Sequence, residues 1–385
     1  KRQIGGSGAL LKSGSGLVVL SGSRNSYTGG TDVSGGRLEV GSSGALGTGS
    51  VRVGQGAALV VGGSLPVTLT NRVSLEGSVV VEGSGTLTLS NAQAGAAGLV
   101  KGGNGTLVWS GSNGLQGTLS MEGRLELSGL GALSGSTTLK GGTLAVSDNR
   151  ALAGVPVLNV GVYDAQNPAS EKARLDVSGV PGGATLVAGQ LLKGRGTVVG
   201  TLTLAQGAGI APGNSIGKGR VEGALNLRGA VYEAEFSTAA GTSLSVVGGT
   251  SDQILVKGDV QVEGGVVRAV PVGVITDFKV HSFPILTGTG VMGGSGFSAV
   301  EHGALERAQM RTGRVWDEEV GGLVNALILD VERVRLTEIG LRGTRKEVGG
   351  ALDALFGSAG VSAALERMNA PLLAAAGVGT SGGSG

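Results

Sequence analysis

An internal repeat of nearly 90 residues is the feature that most constrains this fold. Residues 100–112 (VKGGNGTLVWSGS) match residues 11–23 (LKSGSGLVVLSGS) at an offset of 89 positions. Residues 123–127 match residues 36–40 at an offset of 87. A β-sandwich has no reason to reuse a block of this length, whereas a solenoid stacks like units that each cover the apolar face of the preceding one. The repeat therefore favours a solenoid.

The pattern inside each block is typical of short strands. Apolar and polar residues alternate over segments of four to six residues, as in residues 37–40 and 86–89. A period of two predicts strands with one buried face. Glycine accounts for 78 of the 385 residues and is frequent between these segments, where it supplies the positive φ angles of tight turns. The sequence predicts an all-β chain folded as a parallel β-helix, with about 22 residues per coil, four coils per repeat and about fifteen coils in all.

The composition excludes several kinds of chemistry. The chain has no cysteine, so disulfides, thiolate metal sites and cysteine nucleophiles are ruled out. Its net charge is +2 and it has no basic tract with interleaved aromatic residues, so we expect no nucleic-acid partner. We also expect no cofactor, because the glycine abundance alone produces chance matches to dinucleotide-binding fingerprints such as the one at residues 288–293.

The pattern changes after about residue 230, and seven of the ten aromatic residues lie beyond that point. A solenoid needs an end unit with a polar outer face, because an open last coil exposes unpaired edges. We therefore predict a repetitive stalk over residues 1–230 and a β cap over residues 231–340.

A helical segment is predicted after the cap. Thr344 and Glu347 fit a capping box, and apolar residues follow at helical spacing within residues 341–376. Residues 377–385 are a Gly/Ser-rich tail, either natural or left from cloning, for which we predict no fold.

Candidate catalytic groups are few. Residues 213–217 match the Gly-x-Ser-x-Gly nucleophile elbow, with His281 and His302 as potential partners of Ser215. The elbow needs a helix after its turn, whereas a strand-like segment follows here, so we favour a structural turn. We interpret residues 317–319 (DEE) as a solvated turn, and we predict no catalytic or metal-binding residues.

Three parts of the chain resemble passenger domains of bacterial autotransporters, the type V secretion proteins. Residues 12–16 (KSGSG) and 25–40 (NSYTGGTDVSGGRLEV) look like the passenger-associated transport repeat. Residues 210–217 (IAPGNSIG) and 251–258 (SDQILVKG) are similar to the C-terminal part of such passengers, and residues 347–355 resemble the helical segment before the translocator barrel. The structural motif residues on this basis are Pro212, Gly213, Asn214 and Ser215.

The resemblance implies a right-handed parallel β-helix that is exported through the outer membrane of a Gram-negative bacterium by its own C-terminal barrel. It also implies that the cap acts as an autochaperone, which folds first and templates the coils behind it. The sequence departs from this family by lacking a signal peptide and a barrel, so we expect an excised passenger, either displayed at the cell surface or released by cleavage.

Repetition without a catalytic constellation favours an adhesive or structural passenger. Its expected partners are the barrel during export, and a host-surface protein, a glycan or another copy of the chain afterwards. Two alternatives stay open: a polysaccharide hydrolase, lyase or serine protease on the same scaffold, and an export stub whose effector domain precedes Lys1.

Overall fold

The computed structural model describes residues 3–82, 84–94, 98–110, 115–127, 133–166, 168–213, 216–238, 251–273, 275, 277–303, 305–335 and 338. These residues are almost entirely strand and turn. They form a parallel β-solenoid of about 10 turns, which confirms the predicted all-β solenoid. The predicted helical segment, with Thr344 and Glu347, lies outside the described residues.

The first fifteen strands are short and separated by glycine-rich corners. They are β1 (Leu10–Lys12), β2 (Leu17–Leu20), β3 (Thr31–Val33), β4 (Gly36–Val40), β5 (Val51–Val53), β6 (Ala57–Val61), β7 (Val67–Leu75), β8 (Ser78–Val81), β9 (Thr86–Ala94), β10 (Gly98–Gly102), β11 (Thr106–Trp109), β12 (Leu115–Met121), β13 (Arg124–Leu127), β14 (Leu133–Lys140) and β15 (Thr143–Val146).

The remaining strands include two long ones near the end of the described chain. They are β16 (Val157–Val160), β17 (Arg174–Asp176), β18 (Ala184–Leu186), β19 (Leu191–Gly194), β20 (Thr197–Val199), β21 (Leu202–Leu204), β22 (Gly209–Pro212), β23 (Lys218–Glu222), β24 (Leu225–Arg228), β25 (Val231–Phe236), β26 (Gln253–Val256), β27 (Val260–Glu263), β28 (Val266–Pro271), β29 (His281–Gly288), β30 (Met292–Gly296), β31 (Ala299–Glu301), β32 (Glu306–Asp317) and β33 (Gly322–Arg333).

The chain divides into two compact units. The N-terminal unit comprises Lys1–Ala208 and Arg220–Ala224, and the C-terminal unit comprises Gly209–Gly219 and Leu225–Gly385. The predicted boundaries at residues 230 and 340 stay predictions.

The N-terminal unit contains two long parallel sheets. In the first sheet the strand order is β1, β3, β5, β7, β9, β11, β13, β15, β17, β20 and the last three residues of β23. In the second sheet the order is β2, β4, β6, β8, β10, β12, β14, β16 and β19, and β18 with β21 begins a third face. Two 3-10 helices, Asn149–Leu152 and Pro168–Lys172, interrupt the strands.

The register of the first sheet gives the length of a coil. Leu10 pairs with Thr31, and Thr31 pairs with Val51, so these coils take 20 to 21 residues. Thr143 pairs with Arg174, so one coil takes 31 residues because it contains both 3-10 helices. Long coils of this kind lower the total number of coils, and the expectation of about fifteen was too high.

The sequence suggested that the repeat spans four whole coils, but the structure shows a different length. Lys12 lies in β1 of the first sheet, and its equivalent Lys101 lies in β10 of the second sheet. Each coil in this part of the chain contributes one strand to each long sheet, and β1 and β10 are nine strands apart. The repeat therefore spans four and a half coils, and equivalent blocks alternate between the two sheets.

Continuous ladders of apolar side chains fill the inside of the N-terminal unit. Leu38 pairs with Leu59, Leu59 pairs with Val79, and all three side chains are fully buried. Burial of one such side chain stabilises the fold by about 1.5–3 kcal/mol. The neighbouring outward positions, such as Arg37 and Glu39, are exposed or half-buried. The alternation in the sequence thus separates an apolar core from a polar outer surface.

The C-terminal unit begins as a parallel solenoid and ends in an antiparallel hairpin. Its parallel strands are ordered β22, β25, β28, β31 on one face, β24, β27, β30 on another, and β26, β29 on the third. Strand β33 then pairs antiparallel with β29, and β32 pairs antiparallel with β33. Aromatic residues fill the core of this unit: the Phe236 and Phe283 ring centroids are 4.9 Å apart, and the buried Tyr232 hydroxyl donates a hydrogen bond to the Ile285 carbonyl.

Candidate functional site

Two buried lysines close equivalent corners of the N-terminal unit. Lys12 Nζ donates to the carbonyls of Ser13 at 3.0 Å, Gly14 at 2.8 Å and Gly35 at 2.8 Å. The first two acceptors belong to the turn that follows Lys12, and the third belongs to the next coil. The ammonium group therefore ties a turn to its neighbour with three charge-assisted hydrogen bonds, which are stronger than neutral ones.

Lys101 repeats this arrangement in the other sheet. Its Nζ donates to the carbonyls of Gly102 at 3.4 Å, Gly103 at 2.8 Å and Glu122 at 2.7 Å, and the side chain is completely buried. Burial lowers the pKa of Lys101 to about 8, and the nearby Glu122 carboxylate partly opposes that shift. The sequence signal for this corner is a lysine followed by spaced glycines in both copies of the repeat.

The glycines at these corners are required by close packing. Gly36 has a φ of +68°, and a Cβ atom there would lie 2.4 Å from the Gly14 carbonyl oxygen and 2.7 Å from Lys12 Nζ. The equivalent Gly123 has a φ of +63° and a similarly close backbone neighbour in Asn104. Only glycine satisfies both the angle and the contact.

Arginines and acids form ion pairs along the outer face of the first sheet. Arg124 lies 2.8 Å from Glu126 and 2.9 Å from Asp176, which belongs to a strand two positions along the sheet. Arg174 pairs in the same way with Glu222 at 2.5 Å. Such exposed pairs contribute only about 0–1 kcal/mol each, so this face can change its charges at little cost in stability.

A small cleft of about 200 Å³ lies on this charged face. It forms because Ala145 stands between Glu126 and Asp176 in the register of the sheet. Burial raises the pKa of Asp176, but hydrogen bonds from Ser178 and Arg124 outweigh it and hold the pKa below its usual value. The charged side chains of this cleft already pair with one another, so a ligand would have to replace existing ion pairs and hydrogen bonds in order to bind.

The structure joins the two C-terminal motif segments through one buried carboxylate. Asp252 accepts hydrogen bonds from the backbone amides of Gly217 at 2.8 Å and Glu235 at 3.1 Å. The Gln253 amide also donates to the Gly217 carbonyl at 2.9 Å. Burial raises the pKa of Asp252 to about 8; the two backbone donors lower it in part, and Glu235 and Glu233 raise it further.

The predicted motif residues lie just before this contact. Pro212 ends β22 and is buried, and Gly213 has a φ of +89°. Asn214 and Ser215 lie outside the described residues. Strand β23 begins at Lys218, so a strand follows the turn where a nucleophile elbow needs a helix.

The interpretation of residues 317–319 as a solvated turn was wrong for Asp317. Its side chain is fully buried and lies 3.1 Å from Lys218 Nζ, and it accepts the backbone amides of Glu319 and Val320. Glu319 also contacts Lys218 and Lys257 at 3.5 and 3.6 Å. The acids hold the end of the hairpin in place, and their proximity to lysine could not be read from sequence spacing.

The two histidines lie in different surroundings. His281 is buried, with Nε2 2.6 Å from Asp277 Oδ1, whereas His302 is exposed and contacts the Gly303 carbonyl. Among the residues that the structure describes, no group of three or more histidine, aspartate or glutamate side chains could hold a metal ion. The same residues include no helix that is long and apolar enough to cross a membrane.

Comparisons with known proteins agree with this architecture. Residues 10–40 and 122–146 match the passenger-associated transport repeat family. A segment of 59 residues is 49% identical to the adhesin BmaC autotransporter of Brucella suis biovar 1 (strain 1330); it covers 15% of this chain and 2% of that relative. The first matched block contains β1 to β4 with Lys12, and the second contains β13 to β15.

The matched blocks are therefore stacked coils of the solenoid. They confirm the resemblance that the motifs indicated: this chain carries the repeats and the β-solenoid fold of an autotransporter passenger domain.

Proposed function

We propose that this chain is part of a surface-exported passenger with an adhesive or structural role in contact with host cells or neighbouring bacteria. The observation that carries the proposal is the position of the passenger repeats: they form coils whose inward ladders are closed while their outward positions carry charged side chains. The relative named as an adhesin autotransporter supports it.

A stacked scaffold suits adhesion for a physical reason. Parallel strands repeat about every 4.8 Å, so equivalent outward positions recur as rows along the sheet. Solenoids use such extended surfaces to bind partners over several repeats. Exposed substitutions cost within about 0.5 kcal/mol, so the outer rows can adapt to a ligand without loss of the fold.

The autotransporter resemblance supports export to the cell surface or outer membrane of a Gram-negative bacterium. We also propose that the C-terminal unit acts as an autochaperone. Its aromatic core and its local hairpin favour early folding, because contacts near in sequence form before distant ones. A stack of repeats then propagates from the end that is folded first.

Bead attachment separates the adhesive function from an enzymatic one. Beads coated with the full chain are expected to attach to epithelial cells or to bacteria above the level of albumin-coated beads. The same protein is incubated with a panel of polysaccharides and peptides, with Ser215→Ala as the matched variant. Background attachment together with Ser215-dependent turnover would overturn the proposal in favour of a hydrolase.

A further inference from the structure

A cleft of about 750 Å³ lies on the hairpin of the C-terminal unit. Its floor is the hairpin face that carries Arg314 and Asn325, and its wall is the corner after β29, with Asp259 beside it. Its volume is within the range of about 300–1,000 Å³ that is usual for small-molecule sites. The polar groups that line it suit a hydroxyl-rich ligand.

Arg314 differs from the other arginines of its strand. Arg307 lies 2.7 Å from Glu332, and Arg311 lies 2.7 Å from Asp330. Arg314 donates only to the Leu323 carbonyl, at 3.3 Å, and it has no carboxylate within ion-pair distance in the described part of the chain. Its guanidinium has five N–H donors and keeps its charge, so most of its capacity for an anionic partner is unused.

An exposed aromatic side chain stands next to Arg314. Side chains two residues apart on a strand share a face, so Trp316 lies on the same face of β32 as Arg314, next to the residues that line the cleft. Trp316 is 48% exposed although it is large and apolar, and it pairs across the hairpin with Leu323, which is 54% exposed. An exposed tryptophan beside a polar cleft offers a flat apolar surface to a ligand ring.

Two acceptors in the cleft have free capacity. Asp259 Oδ1 accepts the Val291 amide at 2.8 Å, and Asn325 Nδ2 donates to the Gly290 carbonyl at 3.0 Å. These bonds fix both side chains against the corner. The second Asp259 oxygen and the Asn325 Oδ1 oxygen accept no hydrogen bond from the described residues, so both can accept one from ligand hydroxyls.

We propose that this cleft binds an acidic sugar: a pyranose whose carboxylate faces Arg314, whose hydroxyls donate to Asp259 and Asn325, and whose apolar ring face lies against Trp316. The inference deepens the proposed adhesive function, on which it rests for its biological role, by naming a ligand class. An acidic peptide would also pair with Arg314. Unlike a sugar, it has few hydroxyl groups that could donate hydrogen bonds to the Asp259 carboxylate, so we expect it to bind more weakly.

Titration calorimetry with the full chain tests the site. The probes are 3′-sialyllactose, a hyaluronan tetrasaccharide, uncharged lactose and a glutamate tetrapeptide. We expect an acidic sugar to bind and Arg314→Gln to weaken that binding by about tenfold or more, since a charge-assisted contact is lost. Trp316→Ala is expected to weaken it similarly. Arg307→Gln is the matched control, because its guanidinium already pairs with Glu332, and it should bind like the native chain.

Three results would overturn the proposal. The first is that neither acidic sugar binds at millimolar concentration. The second is that Arg314→Gln binds an acidic sugar as tightly as the native chain does while it retains the native circular dichroism. The third is that the glutamate peptide binds as well as the sugars. Bead attachment distinguishes this failure from failure of the adhesive function: attachment without sugar binding removes the sugar site alone, and sugar binding without attachment removes the adhesive role alone.

Discussion

Lys12 and Lys101, 89 residues apart in the chain, occupy equivalent corners in different sheets of the solenoid. Each ammonium donates to the turn that follows it and to one carbonyl of the next coil, Gly35 or Glu122. The match shows that the two long sheets offer the same environment at these corners. A repeat of four and a half coils moves each equivalent residue from one sheet to the other, and the stack can accommodate this because the two sheets have equivalent corners.

Lys101→Met tests the energetic role of the corner. Methionine fits the inward ladder but leaves the Gly103 and Glu122 carbonyls without a donor, so we expect a loss of about 2 kcal/mol in the free energy of unfolding. Urea unfolding followed by Trp109 emission in a Trp316→Phe background measures it, since the chain has two tryptophans. Lys140→Met is the control, because that side chain is partly exposed and lies 4.0 Å from Asp164.

The same corner gives a pH dependence. The pKa of Lys101 falls from 10.5 to about 8 in the folded chain. Between these pH values the unfolded chain holds a proton that the folded chain has released, so this group makes the free energy of unfolding rise with pH. We expect the slope between pH 8 and 10.5 to be smaller in Lys101→Met. Equal slopes in the two proteins would contradict this role.

Gly36→Ala and Gly14→Ala form a matched pair. Both glycines have positive φ angles, but a Cβ atom at Gly36 would meet the Gly14 and Gly16 carbonyl oxygens, whereas nothing lies within 4 Å of one at Gly14. We expect Gly14→Ala to cost about 1 kcal/mol from backbone strain alone, and Gly36→Ala to cost more than about 2 kcal/mol. Equal costs in thermal unfolding would show that the corner is looser than described.

Asp252→Asn tests the contact that joins the C-terminal motif segments. The pKa of Asp252 rises from 3.8 to about 8 in the folded chain. Between these values the folded chain keeps a proton that the unfolded chain has lost, so this group lowers the free energy of unfolding as pH rises. We expect Asp252→Asn to be less stable than the native chain by about 1 kcal/mol at pH 4, because the asparagine NH2 cannot accept and one of the two backbone hydrogen bonds is lost, and more stable at pH 9. A variant that is less stable at both pH values would contradict the expectation.

The autochaperone proposal predicts an order of folding. In the Trp316→Phe background, Trp109 reports on the N-terminal unit, while Phe283→Ala removes packing from the C-terminal unit. We expect Phe283→Ala to slow recovery of Trp109 emission several-fold, and Leu107→Ala to act mainly by faster unfolding. Stopped-flow refolding measures both. An unchanged recovery rate in Phe283→Ala would remove the proposal.

The sequence predicted the fold through alternation and repetition. Short segments such as residues 37–40 show which side chains face the core, and the match of residues 11–23 with residues 100–112 shows that like units stack. It did not predict coil length in detail, because insertions such as the 3-10 helix Pro168–Lys172 leave the ladder register intact while they lengthen a coil.

Long-range polar contacts could not be predicted from the sequence. Lys218 and Asp317 are 99 residues apart, and only the return of the hairpin brings them within 3.1 Å. The cleft at Arg314 could not be predicted from the sequence for a similar reason, since its wall and its floor come from separate segments. Lys12 and Lys101 were visible as a motif, but their inward position became clear only from the strand register.

Attachment by the folded solenoid is the most direct test of the adhesive account. Leu107 is fully buried in an inward ladder, so Leu107→Asp places an unpaired charge in the core and is expected to unfold coils, although every exposed charged residue keeps its identity. Beads coated with the native chain or with this variant at equal density are counted on cells under flow. We expect the native chain to attach and Leu107→Asp to fall to background; equal attachment of the two, or none by the native chain, would rule out adhesion by the folded solenoid.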